Sequence, residues 1–180
     1  MCPGPDNPNV QTHPLLEQWS GSTIVWDISQ SPTTAQRHTS RNRHEPISAS
    51  ILAQAATYPP IRDMRIVCDS ISAFPCDIVI HVPRRTGETV SIQLVLERIH
   101  NELHVPLGED EWEAQNGTMR KKLHLAMCER LKTAEPSIHT TGDILRVDCL
   151  FGRTTFKGLR RLGPSQEEWA LSLGLPADRE

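Results

Sequence analysis

The sequence predicts an α+β domain, with one sheet of about four to six mainly antiparallel strands and two or three helices on one face. Three observations predict it. Two β-branched runs, Met64–Cys68 and Cys76–Val82, are bounded by turn residues in the manner of strands. Directly after them the apolar period changes, and Ile92, Val95, Leu96, Ile99 and Leu103 recur at helical spacing. Near the C-terminus, Asp143–Phe151 and Glu167–Gly174 return to alternation, the latter through Trp169, Leu171 and Leu173.

Taken in order, residues 1–12 are rich in Pro, Asn and Gly and are expected to form a disordered tail ahead of one domain over 13–175. His13–Trp19 supplies the first apolar anchors, and Thr23–Ser29 is a strand. Gln30–Pro46 shows no hydrophobic period; within 30–46 the expectation is a loose polar insert, unable to offset its own ordering entropy. Ile47–Pro60 starts as a short helix that Pro59 and Pro60 stop. Pro83–Glu88 turns the chain and Thr89–Ile92 begins a partner strand for Cys76–Val82. Ser91 is placed to cap the helix of about twelve residues that follows. The resulting hairpin-helix unit is β-grasp-like. A short acidic turn at Glu109–Trp112 precedes a second helix, Thr118–Leu131, capped at Thr118 and directing Met119, Leu123, Ala126 and Met127 inward. Residues 176–180 are expected to be a C-terminal tail.

Composition narrows the function classes. A net charge of −3 over 180 residues gives no global electrostatic case for nucleic acid or an anionic membrane. No apolar run approaches the roughly 20 residues that span a bilayer, and the N-terminal residues show no secretory signal. An intracellular location, cytoplasmic or nuclear, is therefore expected. The five cysteines form no CxxC pair, which fits thiols kept reduced.

Several signatures occur together: "HPLL" from His13, "WDIS" from Trp26, "ATYPP" ending at Pro60, "CDIVIHV" followed by "TVSIQLVLERI", "RVDCLFGRTTFKGL" from Arg146, and the alternating Trp169, Leu171 and Leu173. On these the chain resembles a fungal, basidiomycete-type domain family of unknown function, over about residues 13–175 apart from the insert. The pattern RVDxLxGxxxFxGL is its most specific part, and Cys149 stands where the family often has Trp. The resemblance implies a single intracellular domain. It carries no activity, cofactor or catalytic residue.

The candidates for chemistry rank low. His100 and His104 lie four apart and share a helical face, and His124 and Cys128 repeat that spacing on the next helix, so four N/S ligands suit tetrahedral zinc. A zincin needs Glu directly after the first His; Asn101 stands there, and Glu102 points elsewhere around the helix. The ordinary alternative is histidines flanking an apolar stripe, and it is preferred. Cys149, beside Asp148 in an apolar segment, has its thiol pKa raised rather than lowered, the opposite of activation. "GRTTFKG" lacks the G-K-[ST] of a phosphate loop. Arg84, Arg85, Arg153, Lys157, Arg160 and Arg161 are the candidate anion or partner surface, although scarce aromatics argue against single-strand nucleic acid.

The expected function is a non-enzymatic protein-interaction module with an unidentified protein partner, no cofactor and no catalytic set. A small enzyme assembled from distant residues, and a weak nucleic-acid binder using the basic turns, stand as alternatives.

Overall fold

A computed structural model of the chain describes residues 10–18, 24–39, 43–71, 76–84, 87–133, 142–163 and 167–176. Most of each expected tail, together with Trp19 and Arg85, lies outside the described residues. In chain order the elements are β1 (Gln11–Thr12), β2 (Ile24–Val25), a 3-10 turn at Pro32–Thr34, β3 (Gln36–Thr39), β4 (Arg43–Pro46), α1 (Ala49–Leu52) and β5 (Thr57–Tyr58). They continue with β6 (Asp63–Val67), β7 (Asp77–His81), α2 (Ile92–Leu103), α3 (Glu109–Glu113), α4 (Gly117–Thr133), a 3-10 helix at Arg146–Leu150, β8 (Thr155–Arg161) and β9 (Glu168–Gly174).

The main sheet has the order β7-β6-β9-β8, flanked by the smaller groups β2-β3-β4 and β1-β5. The β6–β9 pair is parallel and the other two main-sheet pairs are antiparallel. A hairpin, a helix and a second strand pair, with parallel strands at the centre, give the β-grasp-like α+β arrangement that the sequence suggests. Strand β7 alternates exposed and buried along its length, and β6 nearly so, as period two requires when one face is covered. Helix α2 packs against β7 with Ile92, Val95, Leu96, Ile99 and Leu103 all buried. The Ser91 hydroxyl accepts from the Leu94 N–H at 3.2 Å, the expected cap.

Five expectations need correction. Cys76–Val82 pairs with β6 and not with Thr89–Ile92, because Val90 bonds instead to Ile61 and Ala56 across a loop. The insert carries regular structure: β3 and β4 form a hairpin whose side chains are polar on both faces, which leaves no hydrophobic period to detect. Asp143–Phe151 is not a strand. Val147, Asp148, Cys149 and Leu150 are all buried in a 3-10 helix, so no face alternates with solvent, and Phe151 turns out at φ 49. The β-strand begins afterwards, at Thr155. Helix α4 is capped by Asn116, whose Oδ1 accepts from Met119 N–H at 2.9 Å, rather than by Thr118. Finally, Val10 is buried and Gln11–Thr12 pairs with β5, so order begins before residue 13.

The core joins the sheets. Trp26 meets Phe156 with ring centroids 6.0 Å apart, and Trp169 is fully buried, its indole N–H donating to Thr12 Oγ1 at 2.9 Å. Strand β8 is shielded on its open side by the N-terminal segment: Leu159 N–H donates to Leu16 O, and Gln18 N–H donates back to Leu159 O. Gly158 makes this approach possible. A Cβ there would stand 2.7 Å from the Gln18 backbone, and its φ of +111 is one that only glycine adopts readily.

Candidate functional site

A groove of about 710 Å³ opens where the N-terminal segment crosses the end of β8. One wall is the Val10–Gln18 segment, the second is Gln54–Pro60, and the third is Leu159, Arg160 and Arg161. Its polar groups are held in place. His13 Nε2 meets Gln54 Oε1 at 3.1 Å, and the Arg161 guanidinium donates to Val10 O at 3.0 Å. Thr57 Oγ1 donates to Pro59 O at 2.9 Å, which fixes the turn carrying Tyr58. Tyr58, the only tyrosine of the chain, is 76% exposed at the rim. Arg160 also lines the groove and is exposed, with no ion-pair partner among the described residues. Glu17 supplies a carboxylate on the facing wall.

The six basic residues expected to form an anion or partner surface are distributed unevenly. Arg160 and Arg161 both line the groove. Lys157 lies in mid-strand, and Arg153 precedes β8 at the opposite end, about 20 Å away at 3.3 Å per residue. Arg84 follows β7, beyond β6 and β9 from Arg161. Arg85 lies outside the described residues.

The histidine candidates separate as well. His100 and His104 stack with ring centroids 3.8 Å apart. Their nitrogens face main-chain carbonyls: His100 Nδ1 approaches Ile28 O at 3.4 Å, while His104 Nδ1 and Nε2 approach His100 O at 2.8 Å and Ser29 O at 3.3 Å. Burial, and then the neighbouring His104, push the His100 pKa down to about 4. The pair thus pins the end of α2 to the Ile28–Ser29 turn. His124 instead sits edge-on to Trp112, and Cys128 is exposed on α4. Among the described residues no three His, Cys, Asp or Glu side chains converge as an ion's ligands.

The motif from Arg146 to Leu159 proves to be a set of fold contacts. Arg146 donates to Glu102 on α2 at 2.6 Å and to Glu111 on α3 at 3.2 Å. Asp148 takes a bidentate pair from Arg130 of α4 at 2.8 and 3.0 Å and also accepts from Leu145 N–H at 2.9 Å. Leu150, Phe156 and Leu159 are core residues, Gly152 turns the chain at φ 83, and Gly158 admits the N-terminal segment. A smaller cavity of about 280 Å³ borders this ion pair. Thiols are suppressed here. Burial first, and Asp148 second, push Cys149 up to about 12; burial likewise raises Cys76 to about 12 and Cys68 to about 11.

A family model for DUF6699, a family of unknown function, matches residues 24–168, from β2 to the first residue of β9. The chain belongs to the DUF6699 family. No curated protein and no solved structure matches it. Within this DUF6699 chain the matched span contains the Arg130–Asp148 pair, the β8 arginines and Tyr58. It leaves out the Val10–Gln18 wall of the groove. No helix among the described residues is long and apolar enough to cross a membrane.

Sequence reasoning missed Tyr58, His13 and Gln54 as groove residues, since β1 and β5 are two residues long and show no period. The available signal was the lone Tyr ahead of two prolines. It also missed the Arg130–Asp148 pair, whose members lie in different elements.

Proposed function

We propose that this DUF6699 domain is a non-enzymatic protein-interaction module whose groove receives an extended, acidic segment of a partner protein. The observation that carries it is the rim itself: exposed Tyr58 and exposed Arg160, the latter with no ion-pair partner among the described residues, both line an open groove. Tyrosine and arginine are the residue types that dominate binding energy at protein interfaces. Arg160, Arg161 and His13 favour carboxylates in the occupant, while Glu17 restricts where they sit. The non-enzymatic part is supported by the direction of the titration shifts. The buried thiols move away from reactivity, and His100 is tied to backbone carbonyls rather than aimed into the groove.

The same reading places the protein inside the cell, cytoplasmic or nuclear, where its free thiols stay reduced. It also assigns the chain to a fungal, basidiomycete-type lineage with RVDxLxGxxxFxGL as the family signature. Support for the signature is that its fixed positions each make a contact the fold needs.

The test is selection of the full chain against a random-peptide display library. Acidic extended peptides are expected to be enriched, and their binding to fall at least tenfold in Tyr58→Ala and Arg160→Glu. Peptides without acidic residues, or peptides that bind both variants as they bind the parent, overturn the reading.

A further inference from the structure

The opposite edge of the main sheet has its own chemistry. Strand β7 is terminal in the order β7-β6-β9-β8 and pairs with β6 along one side. Val82 N–H donates to Arg62 O, and Cys68 N–H donates to Cys76 O. Hydrogen-bonded pairs alternate along an antiparallel ladder, so Ile78 and Ile80 also bond towards β6. The N–H and C=O groups of Asp77, Val79 and His81 therefore point out of the sheet.

Their side chains share the solvent face, opposite buried Ile78 and Ile80. Val79 is 63% exposed, an apolar side chain between Asp77 and His81 on that face. Asp77 is held by Arg65 at 2.5 Å, and His81 is held by Asp63. Natural edges block pairing with proline, a bulge, inward-pointing charges or outward charged side chains, lysine above all. Along Asp77–His81 there is no proline and no bulge, both inward residues are isoleucine, and the two outward polar residues differ in kind.

That pattern is self-complementary. When a second β7 is laid antiparallel beside the first about a two-fold axis through Val79, Val79 faces its own copy. Asp77 then faces the His81 of the copy, on both sides of the axis. Asp77, Val79 and His81 all lie in hydrogen-bonding register, which gives six main-chain bonds. Across four strands the side chains run Arg65, Asp77, His81 of the copy and Asp63 of the copy, a ladder of donors and acceptors in alternation. Shifting the register by two residues places Asp77 or His81 opposite Val79 and destroys the match.

We infer that β7 is a homodimerisation edge, pairing with β7 of a second copy of this chain in the Val79-centred antiparallel register to make one eight-stranded sheet. The contact is small, so association is weak and depends on concentration. This surface is separate from the groove, and its failure leaves the groove proposal standing.

The test is sedimentation velocity of the full chain from low-micromolar to sub-millimolar concentration. The parent is expected to shift towards twice the monomer mass as concentration rises. Val79→Pro removes an N–H that points away from β6, so the fold tolerates it while the central pair of intermolecular bonds is lost; that variant stays monomeric. Because residue 79 faces itself, Val79→Lys and Val79→Glu each stay monomeric alone, and an equimolar mixture of the two regains dimer. Circular dichroism and a melting curve on each variant verify that it is folded. Three outcomes overturn the inference: a parent that stays monomeric throughout, which would leave the edge to a strand of another protein; folded Val79 variants that associate like the parent; or a Lys/Glu mixture that does not associate.

Discussion

Replacing either member of the Arg130–Asp148 pair should cost far more than replacing both. The side chains are 9% and 2% exposed, so removing one strands a charge in the interior. Arg130→Met leaves the Asp148 carboxylate accepting from the Leu145 N–H without its cation, and a broken buried pair costs about 3–5 kcal/mol. Asp148→Leu leaves the guanidinium bonded to Asp143 O, with a similar cost. In the double variant Arg130→Met/Asp148→Leu both charges are gone and two hydrophobic side chains fill the space. Asp143 is exposed, so its carbonyl turns to water, and the residual loss is the unsatisfied Leu145 N–H, about 1–2 kcal/mol. Urea unfolding at pH 7, followed by tryptophan fluorescence, reads these losses. With a slope of about 2 kcal/mol/M, each single variant shifts the midpoint by about 2 M and the double by under about 1 M. A single-variant cost below about 1 kcal/mol, or a double variant as unstable as the sum of the singles, would refute the reasoning.

Gly158→Ala should lose about 3 kcal/mol, since its Cβ meets the Gln18 backbone and its positive φ disfavours any side chain; Gly163→Ala, in open space, should be near neutral, and equal melting temperatures for the two would contradict this. His100 should make the fold sensitive to acid. Its folded pKa of about 4 lies below the ordinary value, so the unfolded chain takes the proton first, and stability falls as pH drops from about 6.5 to about 4. The ring is only partly buried, so we expect a loss of about 1–2 kcal/mol over that window, absent in His100→Gln; urea midpoints measured across the window check it. In a Cys2→Ser background, a thiol reagent at pH 8 should modify Cys128 promptly and Cys68, Cys76 and Cys149 only after unfolding; fast labelling of a second thiol in the folded protein would contradict the burial.

Sequence and structure agree where local rules decide the outcome. Helix α2 was legible to the residue, because its buried stripe and its Ser91 cap depend only on spacing and on the neighbouring backbone. Strands β6, β7 and β9 were legible through alternation, and so was the upward direction of the Cys149 pKa shift, since burial and Asp148 both act on it. The β3–β4 hairpin was not, because polar strands that bury little show no contrast between faces. Nor was the groove, whose first and third walls lie more than a hundred residues apart.

The amino-acid sequence by itself determined the α+β class and the helix that covers the sheet, and it marked out the stretch from Arg146 to Leu159. Only the tertiary structure decided what that motif is for. Alternating side chains around Cys149 suit a strand until Arg130 and Asp148 meet. Their ion pair and the bond to Leu145 then hold the segment as a 3-10 helix buried on all sides. Which strand pairs with which was decided there as well, and with it which backbone groups remain unpaired at the edge. Partner choice depends on contacts distant in sequence, and a periodic pattern records only which face of a strand is covered.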